Sequence, residues 1–200
     1  MAVEASPLPK LESRFRRFLG ELDRCEGFVP GHSVAVCKSA LRVAEELGVA
    51  ADELPSVTLG ALMHDIGKVF VDGRLLGKPA PLSTAELETV RLHPQLGEAL
   101  LAPTVSHTTV LGIVRWHHER WDGGGYPDCL AGAATPLGAR IVATADAFVA
   151  MREARAYREP RSLDDALDEL RRLSGRQFDP ICVEALVDTV RQPERRRAVA

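Results

Sequence analysis

Two adjacent histidines, His117 and His118, stand directly before the run Glu119-Arg120-Trp121-Asp122-Gly123-Gly124-Gly125-Tyr126-Pro127. Imidazole nitrogens are common metal ligands. A glycine run can bring backbone N–H groups close to a bound group, because glycine adopts dihedrals closed to other residues. Together they point to one site holding both a metal ion and a substrate. A second dense stretch, His64-Asp65-Ile66-Gly67-Lys68, lies upstream, with His32 before it, His93 after it and Asp146 further on. Taken singly these residues decide little. A lone histidine such as His32 or His93 is commonly a packed or surface residue, and neighbours such as His64 and Asp65 do not share a helix face. Asp146 carries more weight. Its carboxylate lies between Ala145 and Ala147 in an apolar stretch, where burial is costly unless a cation or strong donor compensates. On a helix, Lys68 would share the side of His64 and Asp65. An ammonium there would neutralise a bound phosphate or protonate a leaving oxygen.

The elements that must position these groups read as helices. Leu11, Phe15, Phe18, Leu19 and Leu22 recur at helical spacing, predicting an amphipathic helix over 11–24. Pro30-Gly31 breaks the chain. A second helix follows through Val34, Cys37, Leu41, Ala44 and Leu47 and ends near Gly48, and a third carries Leu59, Leu62, Met63 and Ile66. Ser83 with Glu86 forms a capping box that opens a helix through Leu87, Val90, Leu96 and Leu100. Val110, Ile113, Val114 and His117 mark the next, cut off by the glycine run, and residues 137–153 form a largely buried one. Ser162 starts a helix that Gly175 stops, and Asp179-Pro180 is an N-cap followed by proline at the first helical position. Alternating strand patterns are nearly absent; a short hairpin within 69–77 is the one alternative. The predicted fold is all-α, a single bundle-like domain.

Composition agrees. Two hundred residues with 46% hydrophobic content suit one domain with a real core. A net charge of −3 offers no basic face for a nucleic-acid polymer, and the arginines after Arg191 read as a charged tail. Cys25, Cys37, Cys129 and Cys182 lack the paired spacing of a zinc ribbon or redox motif. They read as reduced thiols of a cytoplasmic protein. Residues 1–10 do not have the layout of a signal peptide, and no apolar stretch is long enough to span a bilayer. No membrane association is expected.

In their order, these motifs resemble the HD-GYP family, bacterial metal-dependent phosphohydrolases associated with cyclic di-GMP. The likeness runs from about His32 to Phe178-Asp179-Pro180. It implies an HD-type helical domain over 25–190, between an N-terminal tail and helix over 1–24 and a C-terminal tail over 191–200. It implies His32, His64, Asp65, His93, His117, His118 and Asp146 as metal ligands, and His107 falls outside the pattern. Nitrogen and oxygen ligands without thiolate favour a hydrolase centre over a structural zinc site. Asp65 could bridge two cations, which in such centres lie roughly 3.5–4 Å apart. Iron or manganese fits best, with zinc or nickel as alternatives. The resemblance further implies Lys68 and Asp65 as catalytic residues. Tyr126 would touch substrate, whereas Trp116 and Trp121 would not. Arg155 and Arg158 would reach substrate phosphates, and Lys78-Pro79 would be structural. The implied activity is hydrolysis of cyclic di-GMP by a hydroxide held at the dinuclear centre.

Three positions depart from the family pattern. Phe28 stands where some members carry a glutamate that helps hold a third metal, so two metals and a single efficient cut to linear pGpG are expected. Ala156 replaces the usual proline in the arginine segment, and nothing explains Val149, which replaces an acidic residue. Two other functions remain open: hydrolysis of another cyclic dinucleotide or nucleotide, and a non-catalytic nucleotide-binding scaffold. The first helix could serve homodimer formation or a regulatory partner, or cover the domain's own core.

Overall fold

The computed structural model describes residues 29–154 and 159–191. The expected helix over 11–24, Phe28, the Arg155 to Arg158 segment and the C-terminal tail beyond Arg191 lie outside them, while Arg191, expected in that tail, ends the last helix. Among the described residues regular structure is helical, and β pairing is confined to isolated bridges, Asp122 with Ala131 and Ser174 with Phe178. The elements are α1 His32–Glu46, α2 Leu54–Met63, a 3-10 turn Ile66–Phe70 and the short α3 Gly73–Leu76. They continue with α4 Thr84–Arg91, α5 His93–Leu101, α6 Thr108–Trp116, a 3-10 turn Gly132–Ala134, α7 Leu137–Arg152, α8 Leu163–Leu173 and α9 Pro180–Arg191. The hairpin alternative at 69–77 is replaced by the end of the 3-10 turn and α3. No described helix is long and apolar enough to cross a membrane.

The main core gathers one face each of α1, α2, α7, α8 and α9. From α1 it takes Val36, Cys37, Ala40, Val43 and Ala44, the spacing of a single helical stripe. Ile113, Ile141, Leu167, Leu170 and Leu186 are completely buried there. Each such side chain stabilises the fold by roughly 1.5–3 kcal/mol relative to exposure. A second cluster, Leu59, Met63, Ile66, Leu101, Val105, Val110 and Val114, joins α2, α5 and α6. Helix α2 serves both, with Val57 and Ala61 in the first and Leu59 and Met63 in the second. It is therefore apolar nearly all round and held on several sides.

The caps anticipated from sequence form. Ser83 accepts the Glu86 backbone N–H while Glu86 accepts that of Ser83, Ser162 accepts from Asp165, and Asp179 accepts from Ile181. Two predicted helices are interrupted, both beside histidines. The third helix stops at Met63 instead of running through Ile66, and Asp65 sits at φ −95°, ψ 6°, outside the helix. The helix opened by Ser83 breaks at Leu92, because Pro94 supplies no N–H to continue it. At the first break the 3-10 turn lies directly on α5. A Cβ added to Gly67 would fall 1.9 Å from the His93 carbonyl oxygen and 2.6 Å from the Gly97 nitrogen. Both are backbone atoms, so relief requires separating two elements. Gly67→Ala is expected to lower stability by about 3 kcal/mol or more, read from the urea midpoint. An unchanged midpoint would show that the turn is not clamped this way.

Candidate metal centre

The helix interruptions place the histidines. His64 caps the C-terminus of α2 and His117 that of α6, so Asp65 and His118 follow where the chain leaves the helix. Neighbours that would diverge on a helix can then turn into one space. His93 opens α5 at the second break, His32 opens α1, and Asp146 comes from the middle of α7. Ligand atoms of Asp65, His93, His117 and His118 lie within 4.8 Å of one another, as do those of His32, His64 and Asp65. Asp65 belongs to both groups. Asp146 joins the second through His32, whose Nε2 lies 3.1 Å from Asp146 Oδ1. The sequence-derived set therefore converges, while His107 is exposed and Arg155 and Arg158 lie outside the described residues.

The hydrogen bonds fix which nitrogen faces the centre. His64 Nδ1 lies 2.7 Å from the Ala61 carbonyl, His93 Nδ1 2.8 Å from that of Val90, and His117 Nδ1 2.9 Å from that of Val114. A carbonyl only accepts, so each Nδ1 carries the proton and each Nε2 presents a lone pair. His93 Nε2 and His117 Nε2 face each other at 3.3 Å, and Asp65 Oδ1 lies 3.3 Å and 3.8 Å from them. Buried His64 Nε2 and Asp65 Oδ1 have no hydrogen-bond partner. Lone pairs and a carboxylate turned on one another without protons between them form a donor set that a cation satisfies. The residues present fit a metal centre, and their sharing of Asp65 fits two ions.

Protonation agrees. Burial alone would raise the Asp65 carboxyl, but the Lys68 ammonium 2.6 Å away and the nearby His64 and His93 rings hold it well below the usual range. Asp146 is half-buried, and although desolvation would raise its carboxyl, His32 and His64 keep it ionised. Burial and neighbouring imidazoles depress His117 strongly and push His118 down to about 3. Carboxylates are thus charged and these imidazoles neutral. A stability profile follows. Below 6.5, the ordinary histidine value, the unfolded chain protonates His117 and His118 while the folded chain resists. Their contribution is full above 6.5 and lost as pH falls toward the folded values, each by up to about 1.4 kcal/mol per pH unit. For His32, burial is outweighed by Asp146, Asp65 and Glu153, so its value is raised. Its contribution is present below 6.5 and lost only at higher pH. Urea midpoints of metal-free protein are expected to fall steadily from about pH 6.5 to pH 5. A flat profile would show that the rings are not held neutral.

The glycine run works differently from the sequence expectation. Gly123 N–H donates to Arg120 O at 3.0 Å, Gly124 N–H to Asp122 Oδ1 at 3.0 Å and Tyr126 N–H to His118 O at 3.2 Å. These amides brace the loop, and Gly125 permits close packing, since a Cβ there would meet Arg120 N at 2.4 Å. What the loop delivers is the Tyr126 ring, stacked on His118 with centroids 4.9 Å apart. The Arg91 guanidinium lies 5.3 Å over the same ring. Trp116 donates to Asp128, and Trp121 packs beneath Arg140, which pairs with Asp179. Lys78 pairs with Glu86 at 2.7 Å.

Three contributors were not read from the sequence. Buried Glu119 accepts the Asp128 and Leu130 amides at 2.7 Å and 3.1 Å and closes the loop behind the paired histidines. Arg91 lies two residues before His93, and Glu153 Oε2 reaches His32 Nδ1 at 2.9 Å. For Glu153 a signal existed: it follows Asp146 by seven residues, the spacing of two helical turns.

Residues 8–181 match the family described as HD domain. Over 184 residues the chain is 40% identical to the cyclic di-GMP phosphodiesterase response regulator RpfG of Xanthomonas campestris pv. campestris, covering 89% of this chain and 49% of that protein. It is 34% identical over 149 residues to the 3'3'-cGAMP-specific phosphodiesterase 2 of Vibrio cholerae serotype O1, covering 74% and 28% respectively. The chain thus spans less than half the length of either relative. A crystal structure of a cyclic GMP-AMP specific phosphodiesterase of V. cholerae, V-cGAP3, superposes with TM-score 0.72 at 20% identity, covering 92% of this chain and 49% of that one. At that identity the likeness is one of fold.

Proposed function

The chain belongs to the HD-domain family and carries the HD-GYP signature in His64-Asp65 and Gly125-Tyr126-Pro127, and from that premise we propose that it is a metal-dependent phosphodiesterase opening cyclic di-GMP to linear pGpG. The observation that carries this reading is the pair of ligand groups sharing Asp65. Iron or manganese suits the mixed nitrogen and oxygen donors, with zinc or nickel as competitors. Bound there, two such ions would acidify a water and neutralise charge on the phosphodiester.

The chain's own residues do the rest. His93, His117 and His118 with Asp65 would hold one ion, and His32, His64 and Asp146 with Asp65 the other. The attacking water oxygen forms a bond to phosphorus as the P–O3' bond breaks, and the departing O3' takes up a proton. Lys68 is placed for that proton, because its ammonium is anchored on Asp65 yet retains one quarter of its side-chain surface exposed. Tyr126 shields and orients His118 and borders the substrate space. Exposed Arg91 beside it offers a guanidinium suited to bidentate phosphate contact. Arg155 and Arg158 would add the same chemistry from their segment. A nucleotide substrate and free thiols at Cys37, Cys129 and Cys182 fit a cytoplasmic protein.

The 34% identity to a 3'3'-cGAMP-specific enzyme favours one second reading, in which that mixed dinucleotide is preferred. Manganese- or iron-loaded protein offered cyclic di-GMP, 3'3'-cGAMP and linear pGpG separates the two. The expected order of kcat/KM is cyclic di-GMP first and pGpG last, with pGpG accumulating on chromatography. Preference for 3'3'-cGAMP would reassign the substrate, and GMP appearing as fast as pGpG would overturn the single-cut product.

A further inference from the structure

We propose that Glu153 is a positioning residue for the metal centre, holding His32 in the ring orientation and tautomer that turn Nε2 toward the ligand cluster. The inference rests on the dinuclear reading above and adds a residue to it. His64, His93 and His117 each lock Nδ1 on the backbone carbonyl three residues earlier, within the preceding helical turn. His32 has no such turn behind it. It opens α1, and the carbonyl three residues back, that of Val29, accepts the His32 backbone N–H at 3.1 Å. The ring therefore needs a partner from elsewhere.

Glu153 supplies it across the fold, with Oε2 2.9 Å from Nδ1, while Nε2 on the other side of the ring lies 3.1 Å from Asp146. The backbone is shaped for this. Glu153 follows the last residue of α7 in an extended conformation, φ −93° and ψ 143°, seven residues after Asp146. A neutral imidazole carries one proton. If Nδ1 lost its acceptor, the proton could move to Nε2 and point N–H at the ion's position, barring coordination. A carboxylate at Nδ1 prevents this and raises the electron density that the ring donates. Helix α7 and the residue that follows it thus carry both a ligand, Asp146, and the brace of a ligand from α1.

Metal binding to the full chain tests this without relying on turnover. Calorimetric titration of metal-free protein with Mn2+ compares wild type, Glu153→Gln and Glu153→Ala. Wild type is expected to bind two ions. Glu153→Ala should weaken one of them by about 10–100-fold and leave the other unchanged. Glu153→Gln, whose amide oxygen still accepts from Nδ1–H, should recover most of that loss. In 15N spectra of the histidine rings, Glu153→Ala should show His32 shifting toward the Nε2–H tautomer, a change that loss of packing alone would not produce. Two ions bound by Glu153→Ala with wild-type affinity would overturn the proposal. Two ions bound by wild type without cleavage of any cyclic dinucleotide would overturn the activity and leave the role of Glu153 standing.

Discussion

Asp65→Asn is expected to abolish phosphodiester cleavage, lowering kcat/KM by more than about 1,000-fold, while leaving the fold intact. Asp65 is the sole residue common to both ligand groups, so no other ligand can take over the link between two ions. Its replacement keeps the shape and removes the charge. It also introduces an N–H donor among the Nε2 lone pairs of His93 and His117, which lie 3.3 Å and 3.8 Å from Asp65 Oδ1. In the metal-free protein those lone pairs and the orphaned Oδ1 oppose one another. Against that relief stands the loss of the Lys68 ion pair, 2.6 Å from Asp65 Oδ2, so the variant is expected to stay folded but to melt below metal-free wild type. What disappears is the rise in melting temperature that added metal gives the wild type, since stabilisation by a ligand needs binding to the folded state. A variant that unfolds outright would show that Asp65 is structural. A variant that keeps metal-induced stabilisation would show that it does not bridge.

Lys68→Met should have the next largest effect, a fall in kcat of about 100- to 10,000-fold, the range for loss of a positioned proton donor. The ammonium lies 2.6 Å from Asp65 Oδ2 on the 3-10 turn, with one quarter of its side chain exposed. Methionine keeps the stem and deletes the donor. Metal stoichiometry should stay at two, and raising the metal concentration should not restore the rate. The opposite result, full activity at high metal, would mean that Lys68 serves only to orient Asp65. A cyclic dinucleotide with a better leaving group at the scissile oxygen separates the two further. It needs little protonation, so its cleavage should be less sensitive to the substitution.

Much of this site was legible in the chain because its chemistry sits in residue types and order. The caps at Ser83, Ser162 and Asp179 follow from local hydrogen bonding and formed as read. The convergence of His32, His64, Asp65, His93, His117, His118 and Asp146 was anticipated through the family resemblance. The geometry that makes it possible was not. Helix periodicity carries α2 through Ile66 and α4 through Leu100, because Leu and Val continue the stripe. The breaks at His64 and Leu92 come from Gly67 lying flat on α5 and from Pro94, a tertiary contact in the first case. Those breaks let His64 and Asp65, neighbours in sequence, face one space. Glu119 and Glu153 escaped notice for a related reason. Each acts through a partner distant along the chain or inside a loop, and the seven-residue spacing of Glu153 from Asp146 was the one hint that either braces another group. The glycine run was read for amides offered to a bound group, yet the Gly123 and Gly124 N–H groups bond within the loop, and the loop places Tyr126 against His118.

The central claim is that the Asp65-linked cluster is a dinuclear centre that cleaves a cyclic dinucleotide. Metal content and turnover measured on the same anaerobically purified samples, stepped from chelated to fully loaded with manganese or iron, test it most directly. The account predicts two ions per chain at saturation, with cyclic di-GMP cleavage rising as the second ion binds and absent in the chelated protein. Full occupancy without cleavage of any cyclic dinucleotide, or an undiminished rate after chelation, would contradict it.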